Sequence, residues 1–235
     1  MKEVLSFQNE KSDKFWRVET NGEIMVTNWG KSGTNGRWQL TEFDSCEECE
    51  KEAAKLIASK RKKGYETVPD FDYEGRVYFD CEDFGPNPLT SHPIFRQYFG
   101  DALYYDCGDE DAPFGSDEGS DALAILQEKY SPKMDFSSFP QKLITREWEM
   151  PYLPPEDQVD VSQEDSMRMT DQIILATALG QIKMTGAVKG ELLKLAYASL
   201  NRWERLQEQL REEVTIAVIR SDLQRFEREQ PQRIL

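Results

Sequence analysis

The chain has 235 residues, a length suited to one or two domains and sufficient to bury a core without disulfide or metal staples. Its 29 Lys+Arg against 44 Asp+Glu leave a net charge of −15, which excludes a uniformly basic nucleic-acid binder and a polybasic membrane anchor. No run of about eighteen apolar residues is present, and the opening Met1-Lys2-Glu3-Val4-Leu5-Ser6-Phe7 holds no apolar signal core, so a soluble, cytoplasmic protein with no membrane partner is expected.

In chain order, the segments around Val4–Phe7, Phe15–Glu19, Ile24–Trp29 and Arg37–Phe43 are rich in β-branched and aromatic residues. The turn signals Asn21-Gly22 and Gly33-Thr34-Asn35-Gly36 separate them, which predicts an antiparallel meander. A helix follows from the capping box Ser45-Cys46-Glu47-Glu48. It carries one apolar stripe through Ala53/Ala54 and Leu56/Ile57, ends in Lys60-Arg61-Lys62-Lys63, and closes at Gly64. After an irregular middle, Ile174, Ala178 and Ile182 recur at four-residue spacing until Thr185-Gly186. A second stripe runs through Leu192, Leu195/Ala196, Leu200 and Trp203, and a third through Leu206, Leu210, Val214 and Ala217. The last two read as one long bent helix, because neither proline nor glycine separates them after Gly190.

Charge and proline divide the chain at the same places. Residues 1–66 hold 12 Lys+Arg and 12 Asp+Glu, so the whole excess of acid lies beyond them. The block 70–121 alone has 14 Asp+Glu against Arg76 and Arg96, and ten of the eleven prolines lie in 69–155. The fold class expected is therefore α+β: a domain at 1–68, a small antiparallel sheet crossed by one helix, and a domain at 69–235, an acidic loop-rich middle packing on a C-terminal helical bundle.

Several residue sets invite chemistry and do not sustain it. Cys46 and Cys49 form a CxxC at a helix start, where thiolates are favoured, but not after the strand of a βαβ unit as in redox folds. With Cys81 and Cys107 they have no zinc-finger spacing, so four free thiols and no metal are expected. The acidic loops Asp106–Asp111 and Asp117–Asp121 lack the EF-hand spacing, and Ser116 or Asp117 is better placed to cap a helix from about Glu118 to Lys129. His92, the single histidine, reads as a turn residue before Pro93. No catalytic residues and no cofactor are expected, and the protein is read as not an enzyme.

The residues Trp29-Gly30-Lys31-Ser32-Gly33-Thr34-Asn35-Gly36, after the aromatic strand Phe15-Trp16-Arg17-Val18 and before the helix ending Lys60-Arg61-Lys62-Lys63-Gly64-Tyr65, resemble the WGR domain over about residues 1–66. That module is known from DNA-dependent poly(ADP-ribose) polymerases, where it binds DNA ends and nicks. The resemblance implies that Trp29 stacks on an exposed terminal sugar, that Lys60 and Lys62 face phosphates, and that Tyr65 lies beside them. Lys31 departs from the signature arginine, which puts a bidentate contact there in doubt. The polymerase activity is not implied, since its His, Tyr and Glu signature is absent. On residues alone, Trp29 reads as a packed strand-end anchor rather than a ligand platform, and Lys60–Lys63 as a solvated helix end favoured by the macrodipole.

Further on, Ser91-His92-Pro93, Tyr104-Tyr105-Asp106-Cys107 and Asp111-Ala112-Pro113-Phe114-Gly115-Ser116-Asp117 resemble the second half of the YfeS-like group of uncharacterised bacterial proteins. This match names no chemistry. The function expected is non-catalytic binding of nucleic acid, a DNA end, nick or backbone, through Trp29, Lys31, Lys60, Lys62 and Tyr65. The alternative is an acidic interaction module, or nucleic-acid mimic, docking a basic protein through residues 70–121.

Overall fold

Four antiparallel strands form where aromatic and β-branched residues cluster: β1 (Lys2–Asn9), β2 (Ser12–Asn21), β3 (Ile24–Lys31) and β4 (Arg37–Glu42). They belong to a computed structural model that describes residues 1–81, 83–155, 159–210 and 216–235. After α1 (Cys46–Lys62), the short β5 (Glu66–Thr67) adds to β1, giving the order β4-β3-β2-β1-β5. Tight turns set the register. Gly22, at φ +60°, lets Asn21 face Ile24 across a two-residue connection, and every β2–β3 pair then follows from that one.

Helix α1 lies on one face of this sheet. Ser45 caps it by accepting a hydrogen bond from the Glu48 N–H at 3.2 Å. Cys49, Ala53 and Ile57 point inward onto Leu5, Trp16, Val18 and Met25. The opposite face is covered as well, by residues beyond the sheet. Leu89 packs on Val26 and Leu40, with Trp38 and Cys81 beside them. Arg17, buried on this side, lies 4.3 Å from the Trp38 ring centre and 4.7 Å from that of Tyr78, and donates to the Tyr78 hydroxyl at 3.2 Å. Aromatic faces and one hydroxyl surround this guanidinium, and among the described residues it makes no ion pair.

The first compact unit therefore runs from Met1 to Ser91 and the second from His92 to Leu235. The boundary expected at 68/69 falls inside the first unit, because on one sheet face Leu89 packs on Val26 and Leu40, and Phe71, Tyr73 and Tyr78 surround Arg17. The acidic block 70–121 is accordingly shared between the two units.

The second unit is helical, and the protein is α+β: α2 (Pro93–Tyr98), α3 (Asp117–Glu128), the short α4 (Phe139–Lys142), α5 (Glu164–Thr185), α6 (Gly190–Leu210) and α7 (Ala217–Glu229). Helix α5 is its axis, buried around almost its whole circumference from Met167 to Met184, where the sequence suggests a single stripe. Its Gly180 lets α3 approach, since a Cβ there would meet Leu126 at 3.0 Å and Leu123 at 3.1 Å. The buried Asp171 receives a bidentate pair of hydrogen bonds from Arg202 of α6, at 2.9 and 2.8 Å. On α7 the buried stripe is Ile219, Leu223 and Phe226, with Ile216 just before it. Ala217, placed from the sequence in a stripe with Leu206, Leu210 and Val214, is exposed, two residues before the buried Ile219. Val214, and the question of one continuous α6–α7 helix, lie outside the described residues. Among the described residues no helix is long and apolar enough to cross a membrane.

Candidate nucleic-acid interface

The loop that carries Trp29 is shaped by two close approaches. A Cβ on Gly36, at φ +71°, would sit 2.6 Å from the Phe15 ring and 2.7 Å from the Trp29 carbonyl oxygen; one on Gly30 would sit 2.8 Å from the Gly36 Cα. Only glycine fits where the chain doubles back. Asn28 fixes the return by donating from its Nδ2 to the carbonyls of Asn35 and Arg37, both at 3.0 Å. The indole of Trp29 is half-buried: one side packs on the core around Trp16, and the other borders an open depression of about 510 Å³ with Thr34, Asn35 and Arg37. Packed anchor and accessible platform are thus both properties of this residue.

Register decides what surrounds it. Trp16 stands opposite Trp29, and Arg37 flanks Trp29 on the other side. Two residues along the strands, Lys14 stands opposite Lys31 and also opposite Phe7 of β1. Side chains alternate between faces, so these residues share the face that carries Trp16 and α1. Lys60 reaches the same place from the end of α1, its Nζ 5.4 Å from the Trp16 ring centre and 5.3 Å from that of Tyr65. Tyr65 in turn lies against Phe7, ring centres 5.4 Å apart.

The basic run at the helix end separates into three roles. Lys60 and Lys63, three residues apart, share a side. Arg61 is neutralised by Glu3 at 2.9 Å. Lys62 is exposed and, two residues from Lys60, points nearly the opposite way around the helix, so the structure does not bring these two lysines together. Burial, and then the charges of Lys63 and Lys14, push the Lys60 ammonium below its ordinary pKa. Among the described residues no carboxylate pairs with Lys14, Lys31, Lys60 or Lys63. Like charges directly opposite in a sheet are unfavourable, so a cross-strand lysine pair with no counter-charge is an arrangement that an anion relieves.

Sequence reasoning missed Lys14 and Phe7, although the signal was available: the turn at Gly22 alone sets Lys14 against Lys31. The other candidates resolve into structural parts. Cys46 is exposed and Cys49 buried, and burial, followed by Cys46, raises the Cys49 thiol. His92 is buried and caps α2, its Nδ1 accepting from the Ile94 N–H at 3.1 Å, while its ring fills the space a Cβ on Gly186 would need. Ser116 caps α3 by accepting from the Gly119 N–H at 3.0 Å. Asp106 and Asp109 accept backbone N–H groups of their own loop, at 2.8 and 3.0 Å. Among the described residues no group of three or more His, Cys, Asp or Glu is placed to hold a metal ion.

The WGR domain family matches residues 1–72. Over 211 residues the chain is 42% identical to the uncharacterized protein YfeS of Escherichia coli strain K12, covering 86% of each chain. Over 59 residues it is 46% identical to protein YehF of the same organism, covering 25% of this chain and 22% of that one. A solved structure of a Bacteroides fragilis protein is 34% identical, covering 45% of this chain and 31% of that one, with a TM-score of 0.29.

Proposed function

Because the chain belongs to the YfeS family and carries a WGR domain at residues 1–72, we propose that its first unit binds nucleic acid at an end, nick or backbone feature, without catalysis. The observation that carries this reading is the set of lysines without counter-ions beside a half-buried, accessible tryptophan. Trp29 supplies a flat apolar face for a terminal sugar or base, and Lys31 and Lys60 supply charge for phosphates, with Tyr65 beneath Lys60. Lys62, on another side of α1, adds a phosphate contact only to a ligand that reaches around the helix end. Arg37, beside Trp29, brings the guanidinium that Lys31 lacks.

Such contacts hold a backbone without reading bases, and they act by counter-ion release. The testing experiment is a titration of the full chain with blunt, nicked and single-stranded DNA at two salt concentrations. Affinity falling steeply with salt, and falling by ~1–3 kcal/mol in Trp29→Ala, is the expected result. Binding indifferent to salt, or no binding at low salt, refutes it.

One observation favours the second reading, a basic partner. In the second unit Glu110, Asp117, Glu118 and Asp165 line an open depression of about 590 Å³, and among the described residues that line it Arg168 is the one cation. Under that reading, charge reversal at Asp117 and Asp165, rather than at Lys31 and Lys60, abolishes the interaction.

A further inference from the structure

The structure assigns to this face a path for a single nucleic-acid strand, running from Trp29 to the Phe7–Tyr65 ring pair across Lys31, Lys14, Lys60 and Lys63. The inference rests on the proposed nucleic-acid function and deepens it, naming unpaired strand as the ligand and adding Lys14, Lys63 and Phe7 to the contacts.

Three observations carry it. First, the platforms are two and they lie apart. Trp29 is on β3 and Phe7 on β1, two strand spacings across and two residues along, which is about 12 Å. Second, the ground between them is basic and without counter-charge. Lys14 and Lys31 are direct cross-strand partners there, and Lys60 is close enough to Lys14 and Lys63 to feel both. Third, both platforms are half-buried, held from behind by the core while part of each ring stays accessible: Trp29 packs on the Trp16 cluster, and Phe7 packs against Tyr65 and beside Gly64.

Aromatic faces alternating with cations in this way suit a strand whose bases are unstacked and free to lie on the rings while its phosphates follow the lysines. A blunt duplex offers one terminal face to Trp29, but its remaining bases are paired and stacked, so the second platform stays empty. Ligands with an unpaired extension should therefore be preferred.

The test uses the full chain and fluorescence anisotropy with four probes of matched phosphate number: a single strand, a duplex with an overhang, a blunt duplex, and a single strand lacking its bases. The single strand and the overhang are expected to bind several-fold more tightly than the blunt duplex and the base-free strand. Lys14→Ala and Lys63→Ala should each weaken single-strand binding several-fold and flatten its salt slope by about 0.7, while Lys51→Ala changes neither. Phe7→Leu, which keeps an apolar side chain but removes the ring, should erase the advantage of the single strand over its base-free counterpart. Equal affinity for blunt and overhanging duplex, with Lys14→Ala and Lys63→Ala indistinguishable from wild type, overturns the strand path and leaves end binding through Trp29 standing. Absence of binding to any probe overturns both.

Discussion

Gly36 shows how much of the interface hangs on single atoms. Its φ of +71° and the three heavy atoms within 2.9 Å of a notional Cβ mean that Gly36→Ala must move Phe15, Asn28 or the Trp29 carbonyl. We expect it to lower unfolding free energy by about 2–4 kcal/mol, read by urea denaturation; a loss under 0.5 kcal/mol would show that the loop yields freely. Lys60 illustrates the opposing demands of stability and binding. Its folded pKa lies below the ordinary 10.5, so the charged form costs stability at every pH below the folded value, and the cost is relieved as pH rises towards 10.5. Lys60→Met should therefore leave the melting temperature unchanged or slightly raised while weakening DNA binding, and more so than Lys62→Ala. In wild type, the Lys60 contribution to affinity should be lost at a lower pH than an ordinary lysine's. Asp171 runs the other way. Burial pushes its carboxyl up to about 6 despite the Arg202 guanidinium. The native state then holds a proton that the unfolded chain releases near pH 4, so this residue's contribution to stability falls as pH rises from about 4 to 6. Asp171→Asn should flatten the stability profile in that window, and an unchanged slope would refute the assignment. Asp171→Ala, which strands the buried Arg202, should cost about 3–5 kcal/mol at neutral pH.

At the scale of elements, the meander, its crossing helix and helices α3, α5 and α6 of the second unit were legible, because each depends on short-range signals: turn glycines, capping residues, and repeats of four; the short α2 and α4 were not. The residues that cover the back of the sheet were not. Nothing local marks Leu89 as a cover for Val26 and Leu40; prolines and acids there read as the loop-rich start of the second domain, and only long-range packing around Arg17 gives Phe71, Tyr73 and Tyr78 their place. The same limit applies to the candidate site. Trp29 and the helix-end lysines were found through a motif, whereas Lys14 and Phe7 emerge only when register is followed across three strands. The resemblance pairs Lys62 with Lys60, and a motif match does not show that the two lie on different sides of α1. If the back cover is integral, a chain ending at residue 68 should unfold at a lower urea concentration than one ending at residue 91. Leu89→Ala should cost about 2–3 kcal/mol in the full chain. Equal midpoints for the two truncations would mean that the sheet and α1 suffice alone.

For the whole molecule the electrostatic question is how a chain of net charge −15 presents a face to a polyanion. The lysines are local, and the rest of the chain opposes them. Residues 1–91 hold 13 Lys+Arg and 18 Asp+Glu, a net −5, leaving 16 against 26, a net −10, in residues 92–235. Two thirds of the repelling charge thus belongs to the second unit, and screening limits the reach of such a field to about 10 Å at 0.1 M salt and about 30 Å at 0.01 M. Salt that screens this field removes its opposition to a polyanion, and dilute buffer restores it. Full chain and 1–91 fragment should therefore differ most in dilute buffer, with the fragment binding DNA more tightly, and their affinities should converge as salt approaches 1 M and screening shortens to about 3 Å. A fragment that is folded yet binds more weakly than the full chain at every salt concentration would reverse the conclusion: the second unit would then contribute contacts of its own, and its acidic surface would need a cation or a basic partner between it and the nucleic acid.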